Sequence, residues 1–122
     1  MTETTLRAAP NTEAVDRARR LAIRTMHDWR LSEQEEPVTA IAVEFVANAV
    51  RHARTPLELR LLRGPGQVRV EVRDHSPQMP RLGTPGPSDE GGRGLFLVRH
   101  FATRWGADPV PGGKIVWAEV SL

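Results

Sequence analysis

The sequence predicts an α/β (α+β) two-layer sandwich, a mixed and mostly antiparallel sheet with helices on one face only. Three observations carry that expectation. Leu57, Leu59 and Leu61, then Val68, Val70 and Val72, alternate with Glu58, Arg60, Arg69, Glu71 and Arg73 around a Gly64-Pro65-Gly66 turn. That is a hairpin with one apolar and one charged face. A sheet with one wet face is covered by helices on its other side alone. The run from Pro37 to Val50 is apolar almost all the way round, so one helix is buried on most sides. The run before it is apolar on one side only, and so covers that helix or the sheet from outside.

Composition sets the outer limits. A chain of 122 residues suffices for one core and hardly for two, so a single domain over residues 1–122 is expected. Without cysteine there are no disulfides and no thiolate metal sites. No apolar run approaches the about 20 residues that cross a bilayer, and the first residues lack the apolar centre of a secretion signal. No membrane association is expected, and the cytoplasm is the default location. The net charge is +2, carried almost wholly by arginine, with Lys114 the only lysine. Arginine favours phosphate, which raises the question of nucleic acid. The arginines are scattered among acids along every element, which argues for a solvated mixed surface and against a nucleic-acid partner.

In chain order, Thr4 to Ala8 suits an edge strand. Asn11 and Thr12 are candidate N-caps after Pro10. Val15, Ala18, Leu21, Ala22, Thr25, Met26 and Trp29 then share one helical face, and Arg17, Arg19, Arg20, Arg24 and Asp28 fall mostly on the other. Ser32 and Glu35 have the spacing of a capping box, and Pro37 suits a first turn, so a second helix starts between residues 32 and 37. It stops by Arg54, because Pro56 disfavours helix at Thr55. After the hairpin, residues 75–92 form a long loop rich in proline and glycine, of a length that is usually functional. Leu95, Val98, Ala102 and Trp105 predict a third helix from Gly94 or just before. Residues 106–110 suit a strand, Pro111-Gly112-Gly113 a turn, and Lys114 to Leu122 a last strand. Both faces of that strand are apolar, so its buried side is not decided. Trp29, Trp105 and Trp117 are expected in the core.

Three stretches bear chemistry. In the second helix Val38, Ile41, Ala42, Phe45, Val46, Ala49 and Val50 form the core stripe, and Thr39, Glu44 and Asn48 are the only polar residues up to Val50. Glu44 and Asn48 are one turn apart on one face, and His52 continues the line. Burying an unpaired amide or carboxylate costs about 1–3 kcal/mol or more, so two aligned in an apolar helix imply something polar to hold. Asp74 shares the parity of Val68, Val70 and Val72 and points to the covered side of the sheet. Gly91-Gly92-Arg93-Gly94-Leu95 runs into a helix start, where exposed N–H groups and the helix dipole favour phosphate. Taken singly each has a plain structural reading: a polar pair, a strand-end turn, a glycine loop. His52 alone is a helix-end residue facing the dipole. His75 and His100 lie too far apart to argue for a metal.

Together these stretches resemble the GHKL (Bergerat-fold) ATP-binding domain shared by gyrase and the histidine kinases. They are most similar to the small bacterial anti-sigma-factor serine/threonine kinases and their actinobacterial relatives. The resemblance covers nearly the whole chain. It rests on Glu44-x-x-x-Asn48, Asp74 in Val-Arg-Asp-His-Ser-Pro, Gly91-Gly-Arg-Gly-Leu95 and Gly112-Gly-Lys-Ile-Val-Trp-Ala-Glu119, in that order. It implies ATP and Mg²⁺ as cofactors, with Asn48 as an oxygen ligand of the metal. Glu44 would be the general base that takes a proton from the attacking hydroxyl. Asp74 would accept a hydrogen bond from the adenine amine, and Gly92, Arg93, Gly94 and Leu95 would meet the phosphates through backbone N–H groups. His52, Ser76 and Gly91 complete the implied cofactor-binding set, and residues 78–91 would form a lid. The implied activity is phosphorylation of a serine on an antagonist protein, coupled to sequestering a sigma factor. The implied partners are thus a sigma factor, a serine-containing anti-anti-sigma protein, or both, with a homodimer as the assembly.

Two departures mark this chain. His75-Ser76-Pro77-Gln78-Met79 follows Asp74 where the wider superfamily has Asp-x-Gly-x-Gly, a form the anti-sigma type shares. Ile115 stands where relatives usually carry threonine, whose hydroxyl helps hold a water at adenine, so weaker adenine binding is expected, by about 1 kcal/mol. The alternative reading is a non-catalytic nucleotide-binding switch that acts by docking a partner.

Overall fold

The computed structural model describes residues 2–80 and 90–122, with residues 90–95 described in backbone only. A five-stranded sheet carries helices on one face. Strands β1 (Thr2–Ala8), β2 (Leu57–Gly64), β3 (Gln67–Asp74), β4 (Arg104–Val110) and β5 (Gly113–Ser121) lie in the order β1-β2-β3-β5-β4. Every pairing among the described residues is antiparallel, so the parallel component expected of a mixed sheet is not found there. Helices α1 (Thr12–Asp28), α2 (Glu35–Asn48) and α3 (Glu90–Phe101) form the second layer. α2 lies between α1 and α3 and packs on β2, β3 and β5. None of the described helices is long and apolar enough to cross a membrane.

Local chemistry explains most of the elements. α1 opens on Asn11, whose side chain accepts from the Ala14 N–H at 3.2 Å, and buries Ala14, Ala18, Ala22, Thr25 and Met26. α2 buries Val38, Ile41, Ala42, Phe45 and Val46. The leucines of β2 and the valines of β3 meet them from the sheet and complete the core. The β2–β3 turn places Gly66 at φ +88°, a conformation suited to glycine.

Four expectations are corrected. Ser32 lies in a 3₁₀ turn (Ser32–Gln34), and α2 starts at Glu35 with no side-chain cap, so the capping box does not form. α3 begins at Glu90, before the expected Gly94, and ends at Phe101. Trp105 belongs to β4, opposite Ala118, although its spacing from Val98 and Ala102 is helical. The helix is interrupted because the Thr103 N–H bonds the Glu119 carbonyl at 2.8 Å, which draws the chain onto β5. Trp117 lies on the open face of the sheet, where the Arg69 guanidinium stacks on its ring at 4.3 Å.

The ends of β5 and α2 set the geometry of the site. In β5 Lys114, Val116, Ala118 and Val120 are buried, and pairing Val72 with Val116 and Asp74 with Lys114 places all four on the helix-covered side. Ile115 pairs with Arg73 on the open side. The α2 backbone continues into a π turn (Ala49–Ala53), closed by the Arg54 N–H bonding the Ala49 carbonyl at 3.0 Å. Arg54 then takes a left-handed φ of 55°, which ends the helical run where Pro56 leads one to expect it. A π turn widens the backbone by one residue, and such turns cluster at functional positions.

Candidate functional site

A cavity of about 310 Å³ opens where α2 meets the ends of β3 and β5. α2 and its π turn contribute Phe45, Asn48, Ala49, His52 and Ala53. The sheet contributes Val72, Asp74, Lys114 and Val116, and the segment leaving β3 contributes Ser76, Gln78, Met79 and Pro80. Apolar residues make up about half of the lining and polar ones the rest, so apolar surface meets convergent polar groups as in small-molecule sites.

Asp74 sits at the end of β3 because the strand's alternation buries every second residue, and it is 2% exposed. Its Oδ1 accepts from Lys114 Nζ at 2.9 Å and from the Ser76 N–H at 2.9 Å. Lys114 is 5% exposed and also donates to the Ser76 carbonyl at 3.3 Å. The acid and the ammonium thus clasp Ser76 from both sides. Further bonds extend this hold: the His75 N–H donates to Thr55 Oγ1 at 3.0 Å, and the Gln78 N–H to Ser76 Oγ at 3.2 Å. His75, Ser76 and Gln78 are therefore held in place at the cavity wall.

Asn48 supplies the other notable polar atom. Its Oδ1 is buried and has no hydrogen-bond partner among the described residues. Leaving a buried acceptor unpaired costs about 1–3 kcal/mol, so such an orphan calls for a partner, and the residue that carries it lines the cavity. Mg²⁺ fits this donor. It takes oxygen ligands, keeps several waters and binds substrate phosphates, and so needs no all-protein cage.

The cavity brings Asn48, His52, Asp74 and Ser76 together. Glu44 is half-buried one turn before Asn48 and is not among the residues lining the cavity. The backbone of Gly91, Gly92, Arg93, Gly94 and Leu95 is helical, within the first turns of α3. Their side chains, and residues 81–89 of the expected lid, lie outside the described residues. The expectation for Ile115 is corrected by register: it faces away from the cavity, so its missing hydroxyl has no bearing on a bound base. Lys114 and Val116 face the cavity instead. Sequence reasoning missed Lys114 because the apolar pattern of β5 did not reveal its buried side. The available signal was the single lysine of the chain, set between Gly112-Gly113 and Ile115-Val116.

Comparison with known proteins is consistent with this geometry. The family model of the histidine kinase-like ATPase domain matches residues 8–120. A protein of Streptomyces coelicolor, described as uncharacterized, is 46% identical over 57 residues, covering 44% of this chain and 54% of that protein. The histidine kinase domain of a blue-light-activated histidine kinase from Erythrobacter litoralis has the same fold, with a TM-score of 0.56 at 24% identity. That match covers 74% of this chain and 45% of the other. The chain thus spans about half the length of these relatives. With its family model matched over nearly its whole length, this chain belongs to the histidine kinase-like ATPase domain family.

Proposed function

We propose that this chain binds Mg·ATP in the cavity between α2 and the β3–β5 ends and acts as a serine kinase of the anti-sigma-factor type. The observation that carries the nucleotide reading is that Asn48, whose buried Oδ1 has no partner among the described residues, lines the same cavity as the buried Asp74. Ala49, Val72, Met79 and Val116 offer apolar surface for a flat ring, Asp74 an acceptor for its amine, and Asn48 an oxygen for the metal. Mg²⁺, when bound, would neutralise charge on the phosphate oxygens. In the transfer a serine Oγ on the partner forms a bond to the γ-phosphorus while the bond to the bridging oxygen breaks and ADP leaves. The serine proton passes to the Glu44 carboxylate. Gly91 and Gly92, in the first turn of α3, would hold phosphate through free N–H groups, whereas those of Gly94 and Leu95 are taken up within the helix that starts at Glu90. His52 and Ser76 border the nucleotide from the π turn and from the segment after β3.

The acceptor would be a serine-containing antagonist protein, and the regulated partner a sigma factor, with a homodimer as the assembly. Nucleic acid fits less well, since Arg7, Arg60 and Arg69 on the sheet are paired with Glu58, Glu3, Glu71 and Glu119. The test is calorimetric titration with Mg·ATP of the parent chain and of Asn48→Ala. Saturable heat in the parent and its loss in the variant are expected, and no binding by the parent overturns the nucleotide reading.

A second reading is a nucleotide-bound switch that docks its partner without phosphoryl transfer. The position of Glu44 outside the cavity lining favours it. Labelled γ-phosphate appearing on the serine partner distinguishes the two.

A further inference from the structure

Lys114 is a buried ammonium that lines the nucleotide cavity and is paired with Asp74. Its surroundings count out. An ammonium has three N–H donors. Two are used, by Asp74 Oδ1 at 2.9 Å and by the Ser76 carbonyl at 3.3 Å. The third has no partner among the described residues, on a side chain that lines the cavity. Asp74 is used on one side only. Oδ1 accepts from both Lys114 and the Ser76 N–H, and Oδ2 accepts no hydrogen bond among the described residues. The cavity floor thus offers an acceptor and a donor side by side, fixed to each other by a buried ion pair.

We infer that Lys114 is a base-reading residue, donating its remaining N–H to a ring acceptor of the purine while Asp74 Oδ2 accepts from the neighbouring amine. The inference rests on the Mg·ATP reading and deepens it. The matching chemical class is a purine nucleotide whose edge sets a donor beside an acceptor, which for adenine are the exocyclic amine and N1. The ion pair also supplies the rigidity that such reading needs, since neither group can turn away without leaving the other buried and unpaired. A charged donor to a ring nitrogen strengthens binding by about tenfold.

The test compares ATP with 1-deaza-ATP, in which a C–H replaces N1 and the amine is kept. Dissociation constants are measured in the presence of Mg²⁺ for the parent chain and for Lys114→Met, with thermal unfolding of each as a check on the fold. The parent is expected to bind ATP about tenfold more tightly than the analogue. Lys114→Met is expected to bind the two equally, at the weaker level. If Lys114→Met does not fold, the parent chain alone decides, since its preference for ATP over 1-deaza-ATP is measured without any variant. Equal binding of both nucleotides by the parent overturns the inference, as does a tenfold preference that survives loss of the lysine. A parent chain that binds neither nucleotide overturns the Mg·ATP reading itself, and the inference with it.

Discussion

Lys114 Nζ lies 2.9 Å from Asp74 Oδ1, and the two residues are register partners on β5 and β3, both nearly sealed from solvent. A pair of this kind contributes little net stability over an apolar replacement, because desolvating two charges offsets their attraction. Breaking it from one side is costly, because a lone charge stays buried. Lys114→Met and Asp74→Asn are therefore each expected to lower stability by about 3–5 kcal/mol, and the double variant by much less than their sum. Urea unfolding of the four proteins closes the cycle. Additive losses would contradict a direct coupling.

The same strand ends dictate a glycine. A Cβ built at Gly113 would stand 1.9 Å from the Asp74 carbonyl oxygen, which is backbone and cannot yield. Gly113→Ala must push β5 away from β3 where Asp74 and Lys114 meet. Gly66, at φ +88° with open space around it, gives the contrast, since an alanine there meets only backbone strain of about 1–2 kcal/mol. Gly113→Ala is expected to cost more than Gly66→Ala in denaturant unfolding, and it alone should weaken ATP binding. Equal effects on both measurements would show that the close approach has no role.

Asn48 offers a test in which binding and stability move apart. Its Oδ1 gains no hydrogen bond from the described residues, so the amide stabilises nothing visible in the ligand-free chain. Asn48→Ala should leave the ligand-free melting temperature unchanged or slightly higher. The rise in melting temperature on adding Mg·ATP should largely disappear, since that rise follows ligand concentration over dissociation constant. A ligand-free protein destabilised by about 2 kcal/mol would instead assign Asn48 a structural bond.

The sequence made parts of this site legible for physical reasons, and hid others for equally physical ones. Asn48 stood out because an amide in an apolar helix is costly, and Asp74 because strict alternation in β3 placed it on the valine side. The same alternation fails in β5, where Ile115 and Trp117 are as apolar as Val116, Ala118 and Val120. Only pairing with β3 decides which set is covered, and that pairing is tertiary. Lys114 was hidden and Ile115 misplaced for this one reason. Trp105 was misassigned because helical spacing continued past the point where Thr103 is drawn onto Glu119.

On the open face, Arg60 reaches Glu3 on the edge strand and Glu71 on β3. The hydrogen bond with Glu3 is the main cause that holds the Arg60 guanidinium above its already high ordinary value. A raised folded-state value contributes stability that is fully present below the unfolded value and is lost only as pH rises through the folded one. For an arginine both lie far above neutrality, so no loss from Arg60 is expected at any pH near physiological. The pair is partly solvated and should respond to salt instead. Glu3→Gln is expected to cost under about 1 kcal/mol at low ionic strength and less at high. Thermal melts at two salt concentrations measure it, and a cost independent of salt would point to packing.

Glu44 separates the kinase from the switch. It is half-buried, one turn from Asn48, with no ion-pair partner among the described residues. If it serves as general base, Glu44→Gln should slow phosphoryl transfer to the serine partner by about 10²–10⁴-fold. The affinity for Mg·ATP should be unchanged, because the residue does not line the cavity. Transfer at the parent rate in Glu44→Gln would remove Glu44 from the chemistry. Absence of transfer in the parent, with binding intact, would leave the nucleotide-bound switch as the function. Loss of binding in Glu44→Gln would instead mean that the carboxylate holds Asn48 or the metal in place, and calorimetry run beside the transfer assay tells these outcomes apart.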